Sequence, residues 1–173
     1  MTFNYPYTES GRKRPDRPER MLAVHEAALE HLLPLVAGVV LAGKSMGGRL
    51  GSHVAADLGR RVAGLVYYGY PLVPMGKSQP RLTEHLTRID VPQVFFAGTR
   101  DRLCPIAVVE PLVASLPDAE LIVVEQGDHS FRVPKSAGVT GDDVHDRLAD
   151  DTATWIARRI TDDLPGEEPT VRP

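Results

Sequence analysis

Residues 38–48, Gly-Val-Val-Leu-Ala-Gly-Lys-Ser-Met-Gly-Gly, decide the fold because they satisfy two patterns of opposite meaning. From Gly38 to Ser45 they read G-x-x-x-x-G-K-S, a phosphate-binding P-loop. From Gly43 to Gly47 they read G-x-S-x-G, a nucleophile elbow centred on Ser45. A P-loop needs a strand before its first glycine and then a loop of small residues whose N–H groups wrap phosphate. Here Val39, Val40, Leu41 and Ala42 fill that loop with a buried-strand pattern. Before Gly38, Leu32, Leu33 and Pro34 read as the end of a helix. The elbow needs strand, sharp glycine-flanked turn, then helix, and the residues supply all three.

An elbow places its serine on a strained turn so that the hydroxyl stands clear of its own backbone. Gly43 and Gly47 are expected to flank Ser45 because a Cβ would collide in the tight strand-to-helix packing. Gly48 extends the small surface into the helix. Met46, Leu50, Val54 and Leu58 then recur at every fourth position, an apolar stripe for a helix on a sheet.

The 173 residues are one domain's worth and long enough to bury a core. A net charge of −3 argues against a nucleic-acid partner. The single cysteine, Cys104, allows no internal disulfide and fits a reducing compartment. No apolar run has membrane-spanning length, and residues 1–20 carry no signal-peptide core, so a cytoplasmic location is expected.

Short apolar runs alternate with helical stretches along the chain. Strands are expected at 36–42, 62–68, 91–97 and 120–125, and a brief extended piece at 2–5. Helices are expected from Pro18 to about Leu33, after Ser45, at 82–87, 106–116 and 142–164. Trp155, in phase with Leu148, Ile156 and Ile160, is expected to anchor the core. This order predicts an α/β fold of three layers, with a mainly parallel sheet of four or five strands. One domain covers 1–164, and 165–173 form a polar flexible tail.

A serine nucleophile needs a base and an orienting acid, both in loops beyond the C-terminal ends of later strands. Asp101 follows the run VPQVFFAG, and His129 follows LIVVEQ. In these roles His129 takes the Ser45 proton and Asp101 fixes the imidazole tautomer. Asp128 is read as a turn cap, and His145, like His25, His31, His53 and His85, as an ordinary helical histidine. Cys104 is read as a small buried apolar group. The histidines and the cysteine show no metal-ligand spacing, so neither metal nor cofactor is expected. The basic run Arg12, Lys13, Arg14, Arg17 and Arg20, broken by Asp16 and Glu19, reads as a solvated loop. Lys44, beside the nucleophile, and Tyr70, on the rim after the second strand, are substrate-pocket candidates. An aromatic beside Pro71 can equally serve packing.

The segments GKSMGGR, GYPLVPMGK, EHLTRIDVPQVFFAGTRD and GDHSF resemble the dienelactone-hydrolase-like branch of the α/β-hydrolase superfamily. They are most similar to the group that contains bacterial predicted hydrolases and a hydrolase-like subunit of the NSL histone acetyltransferase complex. The resemblance runs from FNYPY to the last helix. It implies an α/β-hydrolase fold with Ser45, Asp101 and His129 in the triad positions, and it supplies the chemistry rather than a substrate. A small-molecule ester-like substrate is expected from the serine-hydrolase reading itself. It also implies several strands ahead of FNYPY and an H-G-type loop that supplies one oxyanion N–H beside that of Met46. The sequence contains no such loop. The expectation is therefore either a natural start upstream of Met1 or a reduced fold that covers the edge of its first strand, for example by forming a homodimer. Two functions follow: a serine hydrolase of esters, or a hydrolase-fold interaction module with weak or no catalysis.

Overall fold

The computed structural model describes residues 1–58 and 61–160. Helices α1 (Pro6–Glu9) and α2 (Pro18–Leu32) lead into strand β1 (Val40–Lys44) and helix α3 (Met46–Leu58). Then come β2 (Gly64–Tyr68), β3 (Gln93–Gly98), α4 (Ile106–Ser115), β4 (Ala119–Val124) and α5 (Gly141–Arg159). The stretch expected as a helix at 82–87 is a 3-10 turn at Glu84–Arg88. The side chain of Leu58, the end of the last expected helix and the tail 165–173 lie outside the described residues.

The four strands form one parallel sheet in chain order, β1-β2-β3-β4. Period-two alternation then sends side chains to opposite faces. Leu65, Tyr67, Phe95 and Ala97 join Leu29 of α2, Val54 of α3 and Val109 of α4 in one core. Val66, Val94 and Phe96 join Val144, Leu148 and Trp155 of α5 in the other. Helices on both faces make the three-layer α/β/α architecture expected from the sequence. Each large core side chain removed from water contributes about 1.5–3 kcal/mol.

Local chemistry fixes the helix ends. Proline at the first position opens α2, where its missing N–H costs nothing. Thr140 and Asp143 close a reciprocal capping box at the start of α5. At the other end of α5, Arg158 pairs with Glu120 at 2.6 Å and Arg159 with Asp118, tying the helix to β4. Trp155 is 1% exposed, as its phase predicted. Gly64 makes room for it, since a Cβ there would lie 2.7 Å from Ile160 Cδ1 and 3.2 Å from Trp155.

The first strand is shorter than its apolar run. Leu35 and Val36 are 66% and 48% exposed, and pairing with β2 begins at Val40↔Gly64. A strand extends only as far as a partner satisfies its backbone. The Val39 carbonyl still accepts the Ala63 N–H at 2.8 Å, whereas the Leu35 N–H bonds back to the Leu32 carbonyl at 2.8 Å and continues the turn that ends α2. The outer edge of β1 borders a cavity of about 90 Å³ shared with Met1, Phe3, His25 and Leu29.

Candidate active site

Ser45 sits between β1 and α3 with φ 52°, in the left-handed region that a residue with a Cβ occupies only when its surroundings enforce it. The enforcement is visible. Its N–H donates to the Tyr68 carbonyl at the end of β2 at 2.9 Å, and its carbonyl accepts the Arg49 N–H at 3.1 Å. A Cβ on Gly43 would lie 2.4 Å from the Gly48 nitrogen, and one on Gly48 would lie 2.7 Å from the Gly43 oxygen. Gly47 is a correction to the sequence reading. A Cβ there meets nothing closer than the Tyr5 hydroxyl at 3.9 Å, so the crowded partner of Gly43 is Gly48.

Beyond β3, the Asp101 carboxylate is fully buried and divided between two tasks. Oδ1 accepts the N–H groups of Leu103 at 2.8 Å and Cys104 at 3.1 Å. Oδ2 lies 2.8 Å from His129 Nδ1. Beyond β4, the tight turn holding His129 is built on Asp128, whose Oδ1 accepts the N–H groups of Ser130 and Arg132 at 2.8 and 3.0 Å. Those bonds hold the Asp128 carboxyl below its usual range against the opposing effect of burial, which heads the influences on it. Asp128 is thus the turn cap it was expected to be.

Three glycines absent from the sequence-derived site bring these loops together. A Cβ on Gly98 would lie 2.2 Å from the Gly127 oxygen, so the β3 and β4 ends touch backbone to backbone. Gly69, at φ +64°, sits under the acid–imidazole pair, 3.2 Å from Asp101 Oδ2 and 3.3 Å from His129 Nδ1 measured from its missing Cβ. The signal was present in the sequence, because one glycine closes each strand in YGY, AGT and QGD.

His129 Nε2 lies 2.9 Å from Ser45 Oγ. The Asp101 carboxylate accepts the proton on Nδ1, which leaves Nε2 with a lone pair facing the serine hydroxyl. Met46, the first residue of α3, has an N–H with no carbonyl one turn behind it in the helix. Lys44 is exposed and, with Tyr68, Ser130 and Phe131, lines a cavity of about 280 Å³.

Tyr70 is not a pocket wall. It is 1% exposed and packs edge-on against Tyr67, with its hydroxyl 3.0 Å from Ser52 Oγ and 3.2 Å from His85 Nε2. The turn at Gly69 points its neighbour into the core beneath α3. His85, read as an ordinary helical histidine, belongs to that buried cluster and stacks on His53 with ring centroids 3.8 Å apart. Burial brings the His85 pKa down to about 4, helped by His53, Arg49 and Arg88. Burial likewise raises the Cys104 thiol to about 12, with Asp101 adding to it, so the sulfur is no nucleophile. In the basic run, Arg12 and Arg20 both pair with Asp16. Among the described residues, no three His, Cys, Asp or Glu side chains are grouped to hold a metal ion, and no helix is long and apolar enough to cross a membrane.

A parallel sheet flanked by helices, with a strained serine between its first strand and the following helix, defines an α/β hydrolase fold. Residues 1–157 match the family described as "Alpha/beta hydrolase domain", and the chain belongs to that family. Solved structures agree in fold. An alpha-beta serine hydrolase homologue from Coxiella burnetii is 23% identical with a TM-score of 0.55, covering 68% of this chain and 54% of its own. A predicted CIB-like hydrolase from Thermoplasma acidophilum is 20% identical with a TM-score of 0.53, covering 65% and 51%. A thermophilic esterase from Thermogutta terrifontis is 15% identical with a TM-score of 0.65, covering 86% and 75%. The matches to the first two span about half the length of those proteins.

Proposed function

We propose that the protein is a serine hydrolase acting on an ester or related acyl bond of a small molecule through an acyl-enzyme. The supporting observation is the relay from Ser45 Oγ to His129 Nε2 at 2.9 Å and from His129 Nδ1 to Asp101 Oδ2 at 2.8 Å. Ser45 Oγ attacks the acyl carbon as His129 Nε2 takes its proton, and Asp101 stabilises the imidazolium that forms. The Met46 N–H donates to the developing oxyanion. Collapse expels the alcohol, which receives the proton from His129. Water, deprotonated by the same nitrogen, then releases the acid and restores Ser45.

Within the family, the motifs GKSMGGR and GDHSF favour the dienelactone-hydrolase-like branch and its group of bacterial hydrolases. The same reading takes the protein to be cytoplasmic and a single domain. It includes a homodimer across the outer edge of β1, which a monomer by sedimentation at micromolar concentration would remove.

The second reading is an interaction module with weak or no catalysis. What favours it is that the residues of this sequence contain no H-G motif to supply a second oxyanion N–H beside that of Met46. A fluorophosphonate probe separates the two. Covalent labelling of the wild type, lost in Ser45→Ala, supports the enzyme. A cooperatively folded wild type that stays unlabelled supports the module.

A further inference from the structure

Among the described residues, three other than glycine hold a left-handed backbone: Ser45, Gln126 and Phe131. The elbow accounts for Ser45, and Gln126 lies in the turn before Gly127 with its N–H on Thr99 Oγ1 at 2.8 Å. Phe131, at φ 59°, is the unusual member, because a bulky side chain rarely takes this conformation. Such strain persists only where the surroundings enforce it, and it gathers at functional sites. Phe131 lies just beyond His129 and Ser130.

The local bonds show what the conformation achieves. The Phe131 N–H donates to the Asp128 carbonyl at 2.8 Å, and the Asp128 N–H donates to the Arg132 carbonyl at 3.0 Å. The chain thus reverses within Asp128–Arg132, with His129 and Ser130 at the bend. The reversal leaves Phe131 only 3% exposed, in the core it shares with Phe96 and with Val144 and Leu148 of α5. A glycine would make the same turn without strain. What it lacks is a ring.

That ring meets Tyr68 edge-on, with centroids 6.4 Å apart and planes at 86°. Tyr68 is itself fixed twice: it stacks on Phe96 at 5.1 Å, and its hydroxyl lies 2.7 Å from Thr152 Oγ1. Thr152 Oγ1 donates to the Leu148 carbonyl at 2.6 Å, so the tyrosine is the donor between the two hydroxyls. The Tyr68 carbonyl, in turn, accepts the Ser45 N–H at 2.9 Å. One residue therefore holds the nucleophile through its backbone and meets the turn of the base through its ring.

We propose that Phe131 is a positioning residue, whose ring, braced against Tyr68, sets the distance over which His129 Nε2 reaches Ser45. The proposal rests on the serine-hydrolase reading and adds to its machinery a residue outside the relay.

The test measures kcat and KM with p-nitrophenyl acetate, and the urea midpoint, for the wild type, Phe131→Ala, Phe131→Gly and Phe131→Leu. Both half-reactions pass a proton through His129, so kcat should fall whichever one limits, with KM little changed. The fall in Phe131→Ala should be at least about tenfold, toward the roughly 10²-fold that a 1 Å displacement costs. Phe131→Gly relaxes the backbone but has no ring, and it should be at least as slow. Phe131→Leu refills the core and should regain most of the rate. Val94→Ala removes volume from the same core at the end of β3 away from the rim, so it should lower the urea midpoint and leave kcat unchanged. If Phe131→Ala does not fold, Tyr68→Leu, which removes the ring partner and keeps Phe131, carries the same expectation.

A wild-type kcat in the folded variants overturns the proposal, as does an equal fall in Val94→Ala, because the ring would then serve stability alone. A raised KM at constant kcat overturns it too: Phe131 also lines the cavity at Lys44, and the ring would then be shaping a substrate site. Fluorophosphonate labelling of the wild type keeps the two levels apart. If Ser45 labels and kcat ignores Phe131, only the positioning role falls. If Ser45 does not label, the hydrolase reading falls and this proposal with it.

Discussion

Gly69 stands so close to Asp101 that a methyl group on its Cα would lie 3.2 Å from Oδ2, and 3.3 Å from Nδ1 of the His129 bonded to it. Gly69→Ala should therefore push the acid–imidazole pair away from Ser45 while also straining a backbone at φ +64°. Misplacing catalytic groups by about 1 Å costs roughly 10²-fold in rate. These contacts ask the pair to give by only a few tenths of an ångström, so the labelling rate of Ser45 by a fluorophosphonate should fall, but by less than that factor. An unchanged rate would show that the pair does not need the space.

The elbow glycines should behave unequally. Gly48→Ala places a Cβ 2.7 Å from the Gly43 oxygen and 3.2 Å from the Tyr67 ring, an overpacking that typically costs about 1–3 kcal/mol. Gly47→Ala meets only ordinary contact and gains helix propensity, so its urea midpoint should not fall. Equal losses in the two variants would contradict the packing described for the elbow.

Tyr70→Phe tests the buried cluster. Removing the hydroxyl takes a partner from Ser52 and from His85 in a site closed to water. Ser52 and His85 remain bonded to each other at 2.9 Å, and Ser52 Oγ still donates to the Arg49 carbonyl at 2.7 Å. The expected loss is therefore that of a net hydrogen bond, about 0.5–1.5 kcal/mol, read as a lower urea midpoint with the same slope. A variant as stable as the wild type would show that the Tyr70 hydroxyl adds nothing to the Ser52–His85 bond.

Stability should weaken in mild acid. Burial holds the pKa values of His25 and His85 at about 4, against about 6.5 in an unfolded chain. Between those values the unfolded chain binds more protons, so stability rises with pH across the window. The contribution is complete above about pH 6.5 and disappears as the pH falls to about 4. Urea midpoints measured from pH 7 to 4.5 should decline, and less steeply in His85→Gln. A flat profile would rule out the buried histidines as the source.

The sequence by itself carried the chemistry and the order of elements. Apolar runs of period two alternating with helical stripes can bury their faces only as a sheet between helices, and the structure has that layering. Ser45, Asp101 and His129 could be singled out because each follows an apolar strand, and the ends of neighbouring parallel strands share one rim. Asp128 could be read as a cap because its role is local, settled by bonds to residues two and four positions on.

What only tertiary structure decided depends on contacts between distant segments. The start of β1 moved from Val36 to Val40 because hydrophobicity marks what can be buried, whereas a strand needs a partner and β2 reaches no further. Tyr70 turned inward because Ser52 and His85 lie beneath it, across 18 and 15 residues of chain. Gly48 rather than Gly47 proved the crowded position because the collision is with the oxygen of Gly43, a backbone-to-backbone approach that sequence spacing does not specify. Gly69 matters for the same reason: its importance comes from the carboxylate and imidazole that two later loops bring over it.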